Sequence, residues 1–360
     1  MKAAVLAAID EPLRVIELQP LPLGPTEARI RVQASGVCGS DLHRMTGTIP
    51  AELPMVLGHE ACGTVLEVGP AVRTLRPGDR VVATSNPECG SCWFCLHGQP
   101  NLCERTRELR SRHAGLDPRG GVVWSMAGLG SFRSEMNVDQ TMLVKVETDL
   151  PDEELALLGC GVTTGLGAVL NTASVNPGAS VAILGCGGVG LASVQGAALV
   201  GATRIVAIDP VPERRRYAAA MGATQQVDPG ATDPVEAVRE LTHGRGVDYA
   251  FEMVGSPATI LQARAMTRAG GTTVLVGAPA KSAEVTFNAW DLHVEGRILG
   301  CSNGSARVGR DLPRFVALAE SGRLKLGPMI TDRIALDDIN DAFDQLRAGK
   351  GIRTVVTALG

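Results

Sequence analysis

Ser180–Gly190 reads SVAILGCGGVG, a short apolar run that ends in a cluster of glycines. The run has no alternating polar positions, as expected of a strand covered on both faces in a parallel sheet. Gly185-Cys186-Gly187-Gly188-Val189-Gly190 fits G-x-G-x-x-G, and small residues follow as a helix over Gly188–Val200. In that setting Gly185 permits a tight turn, Gly187 lets backbone approach a pyrophosphate, and Gly190 lets helix and strand pack closely. The helix start offers free N–H groups and a positive dipole end to phosphates. In a chain with 43 glycines the pattern alone is a weak signal. Asp209 strengthens it. It closes the next apolar run, RIVAID, where a carboxylate can accept both ribose hydroxyls of NAD and disfavours a 2′-phosphate. Arg214, Arg215 and Arg216 follow. They form a solvated helix face, with Arg214 as a candidate neighbour of the adenosine and NADP as the minority expectation.

Outward from this stretch, strand and helix patterns alternate: strand Arg204–Ile208, helices Glu213–Met221 and Pro234–Leu241, strand Asp248–Met253, helix Pro257–Thr267 and strand Thr272–Val276. Such alternation specifies an α/β, doubly wound parallel sheet. Before Pro151 the texture differs, with short strands broken by Gly and Pro at Lys2–Ile9, Ala28–Val37, Cys62–Val68 and Arg80–Ala83. That half reads as β-rich. The last stretch mixes helices near Leu312–Glu320 and Leu336–Arg347 with a closing strand, Arg353–Ala358.

At 360 residues the chain exceeds one ordinary core. Apolar content of 45%, charge of 20% and a net charge of −4 describe a globular protein without the basic footprint of a nucleic-acid or membrane-surface binder. Aromatic content of 3% leaves no base-stacking platform. The N-terminal apolar run breaks at Asp10 and Glu11, so it reads as a strand rather than a leader. No apolar stretch has the length of a membrane span. Cysteines without an export signal fit a reducing cytoplasm.

Cys89, Cys92, Cys95 and Cys103 are spaced C-x2-C-x2-C-x7-C. Two-residue gaps let thiolates converge on one Zn2+, and four sulfurs close its tetrahedron, which makes a structural site. Cys38, His59 and Cys160 offer a second set, two thiolates and an imidazole, with a fourth position open for water or substrate. They lie far apart in sequence. From the residues alone the triplet is weak, and two core cysteines and a surface histidine are the favoured reading.

These motifs together resemble the zinc-dependent alcohol dehydrogenases of the medium-chain dehydrogenase/reductase family over nearly the whole chain. The carriers are GVCGSDLH (Gly36–His43), GHE (Gly58–Glu60), CGSCWFCLHGQPNLC (Cys89–Cys103), GCGVTTG (Gly159–Gly165), GCGGVG (Gly185–Gly190) and GKGIRTVV (Gly349–Val356). The resemblance implies a GroES-like catalytic domain at 1–161 and 299–360, a Rossmann domain at 162–298, and two zinc ions per chain. It implies Cys38, His59 and Cys160 as catalytic zinc ligands. Ser40 matches the hydroxyl that touches the substrate alcohol, His43 the histidine that hands its proton to solvent, and Asp41 the carboxylate that orients His59. Glu60 matches a glutamate behind the metal, Thr164 and Val189 residues near the nicotinamide, and Arg353 an arginine near the pyrophosphate. Gly39 departs from the pattern, standing where many relatives place a cation against the pyrophosphate. Cys186 replaces a more usual apolar residue, and Arg105–Ser131 matches nothing recognisable.

The expected activity is reversible hydride transfer between a primary alcohol, allylic or aromatic, and NAD. A thiol-adduct-dependent formaldehyde dehydrogenase is the alternative, and a non-catalytic NAD-binding scaffold is the rival from another class. A small-molecule alcohol or aldehyde is the expected partner, with no nucleic acid and no membrane. A homodimer or homotetramer is expected, with Val285–Gly300 supplying a sheet edge.

Overall fold

The ten-residue strand Glu27–Gly36 organises the first unit (Met1–Gly161 with Arg307–Gly360) of a computed structural model that describes residues 1–359. Its burial alternates, with Ala28, Ile30 and Val32 turned into the core, as period-two side-chain geometry requires. It pairs antiparallel with Ala61–Val68, Glu135–Asp139 and Arg353–Ala358 within a seven-stranded sheet. A five-stranded sheet runs Arg14–Glu17, Lys2–Leu6, Met55–Val56, Val122–Ser125, Arg112–Leu116. The core of this unit gathers Leu6, Ile30, Val65, Phe132, Met136 and Phe343. The rings of Phe132 and Phe343 meet edge-on, centroids 6.2 Å apart. The β-rich expectation holds. The register brings three strand ends together: Gly36 N donates to the Glu60 carbonyl (2.9 Å) and Val37 N to that of Thr354 (2.9 Å). Cys38, His59–Glu60 and Arg353 therefore come from neighbouring strand ends, although they are far apart in the chain.

The second unit, Val162–Ala306, holds a six-stranded, wholly parallel sheet. Its order is Gln225–Val227, Arg204–Ile208, Ser180–Leu184, Val247–Glu252, Thr267–Leu275, Arg297–Gly300. This is the doubly wound order, reversing between Ser180–Leu184 and Val247–Glu252. The expected strands and helices are present within a few residues. Gln225–Val227 was not anticipated, because QQV offers no apolar run. The unit also runs past residue 298. Arg297–Gly300 completes the sheet, and Thr172 Oγ1 bonds Ser305 Oγ at 2.8 Å, tying the following turn to the same unit. No single helix among the described residues is long and apolar enough to cross a membrane.

Candidate active site and metal centres

Cys38 caps the helix Gly39–Met45, and the turn that follows is built around Asp41. The Asp41 carboxylate is completely buried. Its Oδ2 accepts from Cys38 N (2.9 Å), and its Oδ1 accepts from Gly58 N (2.9 Å) and meets His59 Nδ1 at 3.1 Å. One side chain thus fixes both the thiol loop and the imidazole. With Nδ1 engaged, His59 Nε2 is left buried and without a partner among the described residues, the ring nitrogen placed to take a metal. The ligand atoms of Cys38, His59, Glu60 and Cys160 all lie within 4.8 Å of one another.

The electrostatics are those of a cation site. Burial would push the His59 imidazole down, but the Asp41 carboxylate and then Cys38 hold it up, to about 10. The Cys38 thiol is held well below its ordinary range by Cys160, against the opposing effect of burial, with further help from His59. A buried thiol, a half-buried one and a carboxylate-backed imidazole thus favour positive charge at the point where they converge. This donor set fits a borderline-soft divalent ion such as zinc.

Glu60 is fully buried behind this set. Its Oε1 accepts from Gly161 N at 3.0 Å, and its Oε2 pairs with the Arg353 guanidinium. Arg353, expected near a pyrophosphate, is 5% exposed and has its guanidinium against Glu60. Ser40 Oγ lies 3.9 Å from Cys38 Sγ. His43 stands three residues further on the same helix face, half-buried, with no hydrogen bond to its ring among the described residues. Arg44 follows it with a buried, partnerless Nε. Arg110 donates from Nε to the Ser85 carbonyl at 2.5 Å. Neither arginine was among the sequence candidates. Arg44 carried no motif beyond its place after His43, and Arg110 lies in the stretch that matched nothing.

The second cluster is local. Cys89 and Cys95 Sγ atoms are 3.8 Å apart and those of Cys92 and Cys103 3.9 Å, far beyond a disulfide bond. Four sulfurs about 2.3 Å from one zinc form a tetrahedron with edges of about 3.8 Å, so the spacing matches. Burial raises the Cys89 thiol, but hydrogen bonds from the Ser91 and Cys92 backbone outweigh it and bring it down to about 6.

In the second unit the glycine loop takes the anticipated shape. Gly185 sits at φ 94°, in the left-handed region. A side chain at Gly190 would collide with the Gly185 carbonyl, whereas one at Gly187 would meet nothing within 4 Å. The close packing and the open approach to backbone are both what a pyrophosphate site needs. Gly187 caps the helix Gly188–Leu199, with Gly188 and Val189 in its first turn. Gly165, next to Thr164, packs against Val189, and Ser193 Oγ donates to the Gly165 carbonyl at 2.9 Å. Asp209 is buried at its strand end, accepting from Cys186 N and Val211 N, each at 2.8 Å. Lone pairs remain on both oxygens for ribose hydroxyls. Arg215 is committed to Asp228 (2.8 Å) and Arg216 is exposed, while Arg214 Nη1 stands 4.0 Å from Asp209. Cys186 is a buried filler whose thiol is pushed up to about 12 by burial and by the charge of Asp209.

Residues 24–148 match the family model described as an alcohol dehydrogenase GroES-like domain, and residues 188–321 the one described as a zinc-binding dehydrogenase. The chain is 38% identical to S-(hydroxymethyl)glutathione dehydrogenase of Escherichia coli O157:H7 over 99% of both proteins. Two solved structures are close. An alcohol dehydrogenase zinc-binding domain protein from Burkholderia ambifaria has a TM-score of 0.94 and 34% identity, covering 99% of this chain and 98% of that one. Benzyl alcohol dehydrogenase from Acinetobacter calcoaceticus has a TM-score of 0.91 and 32% identity, covering 99% of each.

Proposed function

The chain belongs to the zinc-dependent alcohol dehydrogenases of the medium-chain dehydrogenase/reductase family, and from that premise we propose that it interconverts a primary alcohol, allylic or aromatic, with its aldehyde. It is an oxidoreductase acting on CH–OH donors, with zinc and NAD as cofactors. The observation that carries the reading is the partnerless His59 Nε2, aimed with two thiols at one point while Asp41 holds Nδ1.

In this reading Cys38, His59 and Cys160 hold the catalytic zinc, and Cys89, Cys92, Cys95 and Cys103 the structural one. When bound, zinc supplies Lewis acidity that lowers the pKa of an alcohol by many units, and NAD supplies the hydride acceptor. The chain's residues do the rest. Asp41 sets the imidazole tautomer and its angle. Arg353 and the Gly161 N–H hold Glu60 in place behind the ligands. Ser40 Oγ takes the hydroxyl proton of the alcohol, and half-buried His43 releases it to water at a ring nitrogen. Gly185–Gly190 and Asp209 hold the dinucleotide, Arg214 lines the adenosine end, and Thr164 and Val189 flank the nicotinamide. The balance is alcohol plus NAD+ giving aldehyde, NADH and one proton.

The benzyl alcohol dehydrogenase likeness supports an aromatic substrate. A second reading, a thiol-adduct formaldehyde dehydrogenase, is favoured by the 38% identity to S-(hydroxymethyl)glutathione dehydrogenase. NADH absorbance with benzyl alcohol, cinnamyl alcohol, and formaldehyde with and without glutathione separates them. Activity that appears only with thiol and formaldehyde together would overturn the first reading. We further propose assembly into dimers or tetramers through the sheet edge at Arg297–Gly300.

A further inference from the structure

Arginines of the first unit mostly have carboxylate partners. Half-buried Arg80 pairs with Asp152, exposed Arg333 with Glu153 and buried Arg353 with Glu60. Arg133 lacks one, but its fork is filled by the carbonyls of Ala114 and Leu129 and by Ser125 Oγ. Arg44 has nothing equivalent. It follows His43 on the helix Gly39–Met45, its Nε is buried without a partner, and its guanidinium forms no hydrogen bond or ion pair among the described residues. The charge of exposed Glu52 reaches it only from beyond ion-pair distance.

Arg110 is the second. It ends the helix Thr106–Arg110, and its one side-chain hydrogen bond among the described residues is to the Ser85 carbonyl. Ser85 lies two residues past the strand Arg80–Ala83, where Ala83 pairs with Ala61, next to Glu60. The Ala83 carbonyl lies 2.6 Å from where a side chain at Gly159 would begin. Arg110 is therefore anchored beside the Cys160 loop, within electrostatic reach of Cys160 and of the Arg44 guanidinium. Burial pulls both guanidinium groups down from their ordinary range, as it does for cations taken from water without a counter-charge. Two thiolates offset the charge of a divalent ion. With metal on Cys38, His59 and Cys160, neither arginine has a carboxylate within ion-pair distance among the described residues.

We propose that Arg44 and Arg110 form an anion-recognising pair beside the metal-binding set, so that the preferred alcohol carries an oxyanion, a carboxylate or a phosphate. This rests on the primary-alcohol reading and narrows its substrate class. A planar guanidinium fork matches either oxyanion with two parallel hydrogen bonds. A half-buried cation without a counter-charge is partly desolvated, so an anionic substrate gains where a neutral one does not.

The test uses zinc-loaded, full-length enzyme with saturating NAD+ and three alcohols: benzyl alcohol, 4-(hydroxymethyl)benzoate and 4-(hydroxymethyl)phenyl phosphate. Wild type should favour one anionic alcohol over the neutral one by about tenfold or more in kcat/KM, mainly through a lower KM. Which anion is preferred identifies the oxyanion. Arg44→Gln, and independently Arg110→Gln, should lower the anionic-to-neutral ratio by about tenfold, and Arg44→Lys should recover part of it by restoring charge without the fork. The wild-type preference does not depend on how any variant folds. Turnover of all three alcohols without preference overturns this inference alone. Turnover of none overturns the primary-alcohol reading and this inference with it.

Discussion

The two cysteine centres of the first unit are made in opposite ways. Cys89–Cys103 brings four sulfurs together within a single loop, held by backbone turns such as Cys92 N donating to Cys89 Sγ at 3.3 Å. Cys38, His59 and Cys160 converge only because separate strand ends are registered against one another, and buried Asp41 then locks two of them. One centre is a local chelate that shapes its own lobe. The other is a product of the finished fold, and the fold leaves it one ring nitrogen with nothing to bind. A metal that organises structure can be specified by spacing, whereas a metal that does chemistry needs rigid support and an open side.

Mutation should separate the two centres, and the largest effect belongs to the assembled one. His59→Ala or Cys38→Ser should lower kcat by about a thousandfold or more, since Lewis-acid stabilisation is worth several kcal/mol. Metal analysis should then find one zinc per chain instead of two, with NADH binding retained. Normal turnover in either variant would end the zinc mechanism.

Asp41→Asn keeps the shape of the side chain but removes its charge. A loss of about 10–100-fold in activity or metal affinity is expected, as for other groups that orient a ligating histidine. An unchanged zinc content and rate would mean that the imidazole is fixed by something else.

Cys92→Ser attacks the local centre instead. Loss of several kcal/mol of stability should lower the melting temperature by about 10 °C. The surviving zinc should be the one that supports turnover. If this variant lost activity while keeping its melting temperature, the division of labour between the centres would be wrong.

The smallest effect provides a baseline away from both metals. In the parallel-sheet unit Asp248 accepts from Ser180 N and Oγ, each at 2.7 Å, and pairs with Arg268 at 2.7 Å. Burial opposes ionisation there, but the Ser180 bonds and then Arg268 hold the carboxyl below its ordinary range. Its contribution is therefore present above the unfolded value of about 3.9 and is lost as pH falls through the folded one. The pair is solvent-screened, so Asp248→Asn should remove only about 1 kcal/mol at pH 7, and the difference from wild type should shrink in acid. Chemical denaturation at pH 7 and pH 3 would show it, and a difference that widens in acid would reverse the sign.

Legibility in the sequence followed the same division. The four-sulfur loop, the glycine turn and Asp209 at a strand end were readable because their partners are near in sequence or fixed by one turn type. Buried parallel strands such as SVAIL and RIVAI announced themselves as apolar runs. The polar edge strand Gln225–Val227 did not, because an edge is held by backbone pairing alone. The convergence of Cys38, His59 and Cys160 came only through family resemblance, since nothing in their spacing encodes the register of three strands. Arg353 was expected beside a pyrophosphate, and its lodging against Glu60 depends on long-range pairing that no local pattern reports. Arg44 and Arg110 were unreadable for a further reason: what marks them is a missing partner, and a sequence records only residues that are present.

Arg353 reaches Glu60 across 293 residues of chain. At translation rates of about 5–20 residues per second, the ribosome delivers Cys38, His59 and Glu60 roughly tens of seconds before the strand that neutralises Glu60. During that interval the early thiols and the carboxylate are exposed without their guanidinium clasp, while the Cys89–Cys103 loop can already close on an ion. Under the zinc reading, the four-cysteine loop is complete once Cys103 has left the ribosome, whereas the set at Cys38, His59 and Cys160 lacks its Glu60–Arg353 support until the last strand is made.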